Sequence, residues 1–528
     1  MSHASHLLLA IEKCRDGFRL TESLCLKVEA TEAMTHQWAS LGVWLIHRDV
    51  SNSESQLLQK IKELQGDALE RLWQLESPNP DYQNDWVDDL LLCTQEKKEL
   101  GEATIERWIN EFVDEKVTTV EMSLWLALVC RYGLHDGDLI QLTKCMTDSG
   151  VTYDYRDAPD LKGRRLLRRY PTGALSEKSA LILPALLCVF AEDYPLASPF
   201  MVARSLSFTG GTWDKLLSIP GFTFPHPGEE AIQTMRDSAC AMVVSKDDCN
   251  PADRLLYQLR SATGTVRSIP LAAASIASKQ LAMPAHRLLL DVRYGEGAFF
   301  NKAEARELST TIRKIIEQDK IACDILMTDT EQPGGSSIGN AVEVMEAIAI
   351  MSNHTESWDT RGIEDQKKLV CQFFATLMSQ EFKELDFENW VAAAYKSIEE
   401  GRVEKAFEKI LKAHQVTEST VETILKTPES LCPSWEKRYT ISSEISGTLK
   451  SIDQRSLGYL VNVEMGGGGN DYQGEVVRGC GVILHKRLGD HIEVGETLLE
   501  VIPSEKEVAL DFEQRCQKCF TIVEKDDL

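Results

Sequence analysis

From about residue 153 onward, short apolar runs that end in polar turns alternate with stretches of helical character. The runs RLLLDVRYG (287–295) and ACDILMTDT (322–330) have the composition of buried strands, and each ends in a polar turn. Strands that alternate with helices indicate an α/β layer built on a mostly parallel sheet. Ligands on such sheets bind beyond the carboxyl ends of the strands, so the turns that follow the strands are where a site is expected.

The chain on either side of this region has a different pattern of apolar and turn residues, which predicts further domains. Residues 86 to about 150 form helical blocks, and residues 1–85 also look helical and acidic, with ESPNPDYQND as a linker. After about residue 435, short strands alternate with glycine turns, as in a small β domain. We therefore predict an α+β multidomain chain. It has a helical lobe, an α/β lobe with a mixed or parallel sheet, a small barrel-sandwich-like β domain at the C-terminus, and an extra helical domain at the N-terminus.

The charge and the apolar runs argue against two classes of partner. A formal charge of −25 and a pI near 5.0 repel phosphate backbones, so we expect no nucleic acid partner. The longest apolar run, ALILPALLCVFA (180–191), contains a proline and is followed by Glu192 and Asp193. It is shorter than the roughly 20 residues that cross a membrane. We therefore expect a buried helix here, no membrane partner and, without a recognisable signal peptide, no secretion.

The cysteines indicate a reducing compartment. The chain has 14 of them without a repeating framework, which predicts reduced thiols and a cytoplasmic protein. Only Cys516 and Cys519 form a close pair. A single CxxC motif is weak evidence for zinc or redox chemistry, so we favour two ordinary cysteines on a C-terminal tail.

The segment YQLRSATGTVRSIPLAAASIASKQLA (257–282) carries groups that can bind a planar ligand. Ser268 and Pro270 mark a helix start, and Ser275 and Lys279 then lie on one face among alanines. Together with Arg260, they offer two cations and a hydroxyl for the edge of an imide ring. A surface lysine and an ordinary helical serine are the alternative, which the spacing alone favours.

Two turns resemble anion-binding loops. Thr209-Gly210-Gly211-Thr212 leads into a helix, so that its N–H groups can converge on an anion, although the motif alone is weak evidence. The stretch LRRYPTGALSEKSAL (167–181) places a small-residue turn between two arginines and an apolar run, but a proline removes one N–H.

Taken together, these segments resemble the thymidine and pyrimidine nucleoside phosphorylase family, from about Asp88 to about Ser504. The shared motifs include MTDSG (146–150), TGGTWDKLLSIPGF (209–222), ADRLLYQLRSATGTVRSIPLAAASIASK (252–279), LLLDVRYGEGAF (288–299) and MTDTEQPGGSSIGNAVEVMEAI (327–348). The resemblance implies a base-binding helical lobe at 86–152 and 252–282, and a phosphate-binding α/β lobe at 153–251 and 283–434. It implies a C-terminal β domain at 435–528, and leaves 1–85 as an extension outside the family. It further implies hinge closure between the lobes and a homodimer packed through the helical lobe.

The resemblance preserves the base site and alters the phosphate site. Arg260, Ser275 and Lys279 match the family's pyrimidine-binding residues, where they would stabilise the departing base. The family pattern Asp-Lys-His-Ser-Thr-Gly-Gly reads here Arg168-Arg169-Tyr170-Pro171-Thr172-Gly173-Ala174. The resemblance therefore gives Arg260, Lys279 and Tyr170 as catalytic residues. The phosphate-binding residues would be Arg169, Thr172, Thr209 and Thr212.

Three hydroxyl donors of the family are missing at Pro171, Ala180 and Val202. At about 1 kcal/mol or more for each lost bond to a charged group, the phosphate site should be weakened. The family's monovalent-cation site is also changed. Its carboxylate matches Glu346, and the ammonium of Lys178 falls where a potassium ion would otherwise sit, so no metal is expected.

We expect a pentosyltransferase that cleaves a pyrimidine nucleoside, thymidine or uridine, reversibly with phosphate, releasing the free base and a (deoxy)ribose 1-phosphate. Its partners would be the nucleoside and phosphate as co-substrate, without a cofactor. Two alternatives stay open. One keeps the scaffold and changes the acceptor or substrate, as a nucleoside or nucleotide hydrolase or transferase. The other is a non-catalytic nucleoside-binding protein that has lost its phosphate site.

Overall fold

The computed structural model describes residues 85–244, 248–468 and 476–523. The predicted N-terminal extension therefore lies outside the described residues, apart from its last position. Within the described residues, no helix combines the length and the apolar character that a membrane crossing requires.

The helical lobe is built from two parts of the chain that pack together. Its helices are α1 (Asp85–Gln95), α2 (Glu102–Val113), α3 (Thr119–Tyr132), α4 (Asp136–Asp148), α8 (Pro251–Thr263) and α9 (Ile269–Ala282). Three tryptophans form its centre: Trp108 meets Trp86 and Trp125 edge to face, with ring centroids 5.7 and 6.1 Å apart. Thr118 starts α3 with a capping box in which Glu121 takes part.

The α/β lobe contains a five-stranded parallel sheet. Its strands are β1 (Arg165–Pro171), β2 (Leu196–Val202), β3 (Cys240–Val244), β4 (Arg287–Tyr294) and β5 (Ala322–Asp329). They lie in the order β3-β2-β1-β4-β5, and Arg169 of β1 is paired with Leu289 of β4. The two predicted strands RLLLDVRYG and ACDILMTDT are β4 and β5, and the predicted α+β fold class with a parallel sheet is confirmed.

Helices cover both faces of this sheet, as its buried strands require. They are α5 (Ser179–Phe190), α6 (Thr212–Leu216), α7 (Glu229–Ser238), α10 (Lys302–Ile316), α11 (Asn340–Ser352), α12 (Thr360–Glu381), α13 (Phe387–Glu399), α14 (Arg402–Ala413) and α15 (Glu418–Lys426). The apolar run at 180–191 is α5, in which every residue except Ala180 is buried. The prediction of a buried helix is confirmed.

The C-terminal region forms two antiparallel sheets, as predicted for a small β domain. Its elements are β7 (Tyr439–Ser442), β8 (Gly447–Ile452), α16 (Gln454–Tyr459), β9 (Gly481–Leu484), β10 (His491–Ile492), β11 (Thr497–Ile502), α17 (Phe512–Lys518) and β12 (Phe520–Val523). One sheet has the order β10-β8-β12. The other contains a strand from the α/β lobe, β6 (Ser337–Ile338), in the order β6-β9-β11-β7.

Cys516 and Cys519 are buried free thiols in this region, and burial raises the pKa of each to about 12. They pack into the C-terminal core instead of lying on a loose tail. Among the described residues, no cluster of three or more His, Cys, Asp or Glu side chains is arranged to hold a metal ion.

Candidate active site

A cleft of about 140 Å³ lies between the helical lobe and the carboxyl ends of β1 and β2. One wall is formed by the turn after β1, the end of β2 and the Thr209–Thr212 turn; the other by α8 and α9. The predicted residues that line it are Arg260, Ser275, Arg169, Tyr170, Thr172, Thr209 and Thr212. The structure thus brings Arg260 and Ser275 opposite the residues assigned to phosphate, whereas Lys279 does not line the cleft and contacts it through Ser275.

The base wall is organised around Lys279 and Ser275. The Lys279 ammonium lies 2.9 Å from Ser275 Oγ and 3.2 Å from Ser275 O, pairs with the Asp253 carboxylate, and stands over the Tyr257 ring. This local geometry follows from the spacing of four residues on α9. A hydroxyl that accepts a hydrogen bond from a cation is polarised and becomes a stronger donor. The Ser275 hydroxyl can therefore donate a strengthened hydrogen bond to a ligand.

Arg260 is held at the same wall by backbone carbonyls. Its guanidinium donates to Leu271 O at 3.1 Å and to Val266 O at 2.9 Å. A guanidinium has more N–H groups than these bonds use, so Arg260 keeps donors for a ligand. Burial lowers the pKa values of both Arg260 and Lys279, and Asp253 opposes that fall in each case.

Arg169, the predicted phosphate-binding cation, is turned into a buried cluster of charges. It donates to Glu177 at 3.0 Å, pairs with Asp291 and lies over the Phe373 ring. Arg293 joins the same carboxylates, at 2.7 Å from Asp291 and 3.3 Å from Glu177. Burial alone would raise the pKa of Glu177, but Arg169, Arg293 and Lys215 hold it at about 2. The charge of Arg169 is therefore already neutralised by the protein.

Two more buried cations beside this wall are also paired. Lys215 lies 2.7 Å from Glu343, and Lys178 lies 3.0 Å from Glu346. Arg169, Arg293, Lys215 and Lys178 are thus balanced by Glu177, Asp291, Glu343 and Glu346. A further cation of the cleft, Arg204, is exposed and stacks on Trp213 at 4.7 Å. No carboxylate of the described residues lies within ion-pair distance of Arg204.

The hydroxyls of the phosphate wall are placed unequally. Thr172 Oγ1 accepts a hydrogen bond from the backbone N–H of Arg293 at 2.9 Å, which leaves the hydroxyl proton of Thr172 to donate to a ligand. Thr209 Oγ1 already donates to Leu206 O at 2.9 Å. Thr212 is the first residue of α6 and lines the cleft. The positions that lost family hydroxyls, Pro171, Ala180 and Val202, line the same cleft and make this wall largely apolar.

Gly211 lets the Thr209–Thr212 turn approach the end of β2. A Cβ atom there would lie 2.3 Å from backbone atoms of Arg204 and Ser205. Only glycine fits such an approach, so this part of the wall is built from backbone rather than side chains.

The Lys178 ammonium occupies a cage of oxygen atoms. Besides Glu346, it contacts Ser176 Oγ at 2.7 Å, Ser337 O at 3.3 Å and Gly334 O. The Glu346 carboxylate also accepts the backbone N–H groups of Ser336 and Ser337, each at 2.8 Å. This is the position that the resemblance gave for a replaced monovalent cation.

The cage predicts independence from potassium. Wild-type unfolding temperature and activity should be the same in potassium and in choline chloride, because a covalently attached cation already fills the site. Replacing Lys178 by alanine should open the cage, so that saturating potassium restores about 1–3 kcal/mol of stability. Thermal unfolding in the two salts measures this. A wild-type protein that potassium stabilises, or a K178A variant indifferent to the salt, would contradict it.

Several residues of the site were missed by sequence reasoning. Asp253 and its partner Lys279 lie on different helices, α8 and α9, so no local pattern reveals the pair. Glu177 lies eight residues from Arg169, but a turn separates the two, so no regular spacing reveals that pair either. Asp291 and Arg293 gave a usable signal: charges within an apolar strand are buried and require partners. Tyr257 and Phe299 supply apolar area to the cleft.

Two family profiles match parts of this chain, and several known proteins are similar to it. The profile of the "Glycosyl transferase family, a/b domain" matches residues 191–402, and that of the "Pyrimidine nucleoside phosphorylase C-terminal domain" matches residues 448–523. A pyrimidine-nucleoside phosphorylase of Staphylococcus aureus (strain MSSA476) is 30% identical over 418 residues, or 78% of this chain and 92% of the relative. One from Staphylococcus epidermidis is 28% identical over 421 residues, 80% of this chain and 92% of the relative. Among solved structures, anthranilate phosphoribosyltransferase from Thermus thermophilus matches 62% of this chain and 99% of its own at 14% identity, with a TM-score of 0.45.

Proposed function

Because this chain belongs to the pyrimidine-nucleoside phosphorylase family, we propose that it is a pentosyltransferase that cleaves a pyrimidine nucleoside with phosphate. The products are the free base and a pentose 1-phosphate. The observation that carries the proposal is the pair of facing walls: Arg260 and the Lys279–Ser275 pair on one side, and Thr172 and the Thr209–Thr212 turn on the other.

The chemistry follows from what each wall offers. As the C1′–N1 bond breaks, its electron pair leaves with the base, and a phosphate oxygen forms the new bond to C1′. Negative charge then grows on the carbonyl oxygens of the base, where Arg260 and Ser275 donate hydrogen bonds and Lys279 supplies a positive charge. Interactions that strengthen as this charge grows lower the barrier and do more than tighten binding.

Tyr170 takes the position of the family's histidine and lines the cleft. Burial raises the pKa of its phenol above the usual range, and the Asp253 carboxylate adds to the rise. The hydroxyl therefore stays protonated at all working pH values and can donate to the base without transferring its proton. We propose Tyr170 as the third catalytic residue, with Arg260 and Lys279.

The paired cations beside the phosphate wall favour a second candidate function. Since the acceptor of the pentosyl group would bind at this wall, we also call it the acceptor wall. Arg169, Lys178 and Lys215 are neutralised within the protein, and Pro171, Ala180 and Val202 are apolar. A wall without free cations has little positive charge with which to bind an anion. A neutral acceptor such as water therefore suits this wall better than phosphate does. The same scaffold could then act as a nucleoside or nucleotide hydrolase or transferase.

One experiment separates these functions. Release of free base is measured from uridine, thymidine, UMP and TMP, each with and without phosphate. Base release that requires phosphate and yields a sugar 1-phosphate supports phosphorolysis. Release without phosphate supports the second candidate. Binding of pyrimidines without turnover on any substrate would reject both and leave a nucleoside-binding protein.

Further features of the family come to this chain as proposals. We propose phosphate as co-substrate with no cofactor, a cytoplasmic location and a homodimer formed through the helical lobe. The free state of all described cysteines supports the location. Exposed Leu92 on α1 and Ile140 on α4 support the dimer face. Light scattering coupled to gel filtration measures the oligomeric state.

A further inference from the structure

Arg168 is a buried cation without a counter-charge. Its side chain is 1% exposed, and no carboxylate of the described residues lies within ion-pair distance. Its one hydrogen bond among those residues runs from Nη2 to Gln280 O at 3.3 Å, while Nε and Nη1 have no partner there. Burial lowers the pKa of Arg168 to about 10, so the guanidinium is still charged at neutral pH. Burying an unpaired charge is costly, which calls for a reason.

The position of Arg168 in β1 supplies one. Arg168 and Tyr170 are two residues apart on a strand, so they lie on the same face of the sheet, the face that meets α9. Arg169, on the opposite face, is directed to Phe373 and the carboxylate cluster. Tyr170 packs against the core of the helical lobe and reaches the cleft, while Arg168 lies behind it, out of the cleft.

Two buried charges of opposite sign, Asp253 and Arg168, act on the Tyr170 hydroxyl. Burial raises the pKa of the phenol, Asp253, the partner of Lys279, adds to the rise, and Arg168 is the cation that opposes it. Among the described residues, no hydrogen bond involves the Tyr170 hydroxyl, so it is available to a ligand. A cation behind a hydroxyl donor strengthens the bond that the hydroxyl gives to an anion.

We propose that Arg168 is a positioning residue for the departing base, whose buried charge acts through the Tyr170 hydroxyl to stabilise negative charge on the pyrimidine. This rests on the proposed function. During cleavage, the electron pair of the C1′–N1 bond moves to the base, Tyr170 donates a hydrogen bond and keeps its proton, and Arg168 forms no bond to the substrate. The family's Asp-x-His and this chain's Arg-x-Tyr would then be two different ways to present a polarised donor from one strand face.

The kinetic test varies the leaving group. Uridine and 5-fluorouridine differ in the acidity of the released base, and the poorer leaving group needs more help. Replacing Arg168 by methionine should lower kcat for uridine by at least about tenfold and that for 5-fluorouridine by less than about threefold, with KM little changed. Arg168→Lys, which keeps the charge, should restore most of the loss. In a Tyr170→Phe background, Arg168→Met should cost little more.

Two measurements separate this role from a structural one. Arg168 also caps the C-terminal turn of α9 through Gln280 O, and loss of a cap lowers the unfolding temperature. If Arg168→Met lowered that temperature and reduced both nucleosides equally, the residue would be a helix cap and the proposal would be wrong. The matched control is Arg165→Met on the same strand, whose half-exposed side chain pairs with Glu381. It should leave the leaving-group dependence unchanged.

A binding measurement decides the matter even if no nucleoside is turned over, in which case the proposed function alone fails. 5-Nitrouracil is ionised near neutral pH, whereas uracil is neutral. Calorimetry should show that Arg168→Met weakens 5-nitrouracil about tenfold and uracil less than about twofold. Equal effects on the two bases, or none, would overturn the proposal.

Discussion

Replacing Lys279 by methionine should lower kcat/KM for a pyrimidine nucleoside by about a thousandfold, the largest loss expected from a single side chain of the base wall. The ammonium supports the Ser275 hydroxyl and supplies charge close to the departing base, in a buried setting where water screens neither. Steady-state kinetics with and without saturating phosphate measure the loss.

This variant also leaves the Asp253 carboxylate buried and unpaired, which by itself costs about 3–5 kcal/mol of stability. The matched control is therefore the double variant Asp253→Asn with Lys279→Met. It should recover most of the unfolding temperature and none of the activity. If activity returned together with stability, Lys279 would have served the fold alone.

Replacing Glu177 by glutamine should lower the stability of the protein and raise its affinity for phosphate. The cluster would hold Arg169 and Arg293 against Asp291 alone, and breaking a buried ion pair costs about 3–5 kcal/mol of unfolding free energy. The uncompensated charge then lies beside the acceptor wall, so the KM for phosphate should fall by about tenfold. Chemical denaturation and phosphate titration measure the two effects.

The pH dependence of this variant has a fixed sign. The folded-state pKa of Glu177, about 2, lies below its ordinary value of 4.5, so its contribution to stability is present above pH 4.5 and is lost as the pH falls towards 2. The difference between wild type and Glu177→Gln should shrink over that range.

Glu381→Gln is the matched control, since it breaks the ion pairs with Arg165 and Arg287 at the amino ends of β1 and β4, and neither arginine lines the cleft. A loss of stability with unchanged phosphate affinity is expected. If Glu177→Gln left the KM for phosphate unchanged, the acceptor wall would not bind an anion. That result would support the second candidate function, with a neutral acceptor.

The local parts of this molecule could be predicted from sequence. Ser268 and Pro270 marked the start of α9, and the spacing of four placed Ser275 against Lys279, where the structure finds them 2.9 Å apart. The strands β4 and β5 followed from apolar runs with polar ends. In each case the physical determinant lies within a few neighbouring residues.

The phosphate wall could not be predicted in the same way. The sequence showed an arginine in place of a lysine, but whether Arg169 faces the cleft depends on Glu177 and on Asp291, 122 residues away. Those partners meet because β1 and β4 are neighbours in the sheet, a fact of topology. For the same reason, no local pattern distinguishes Arg168, buried beneath Tyr170, from its neighbour Arg165 with a partner on α12.

Because β6 belongs to the α/β lobe in sequence and to a C-terminal sheet in space, the change of pattern at residue 435 is crossed by a hydrogen-bonded ladder. Ser337 and Ile338 pair with Ile483 and Val482, and the N–H of Leu484 donates to Ser336 O at 2.7 Å. Cutting the polypeptide near residue 435 would leave each fragment with unpaired backbone groups at a sheet edge, which only the other fragment can pair. The C-terminal domain is thus attached to the lobe that bears the acceptor wall, and the two would move together in any hinge motion of that lobe.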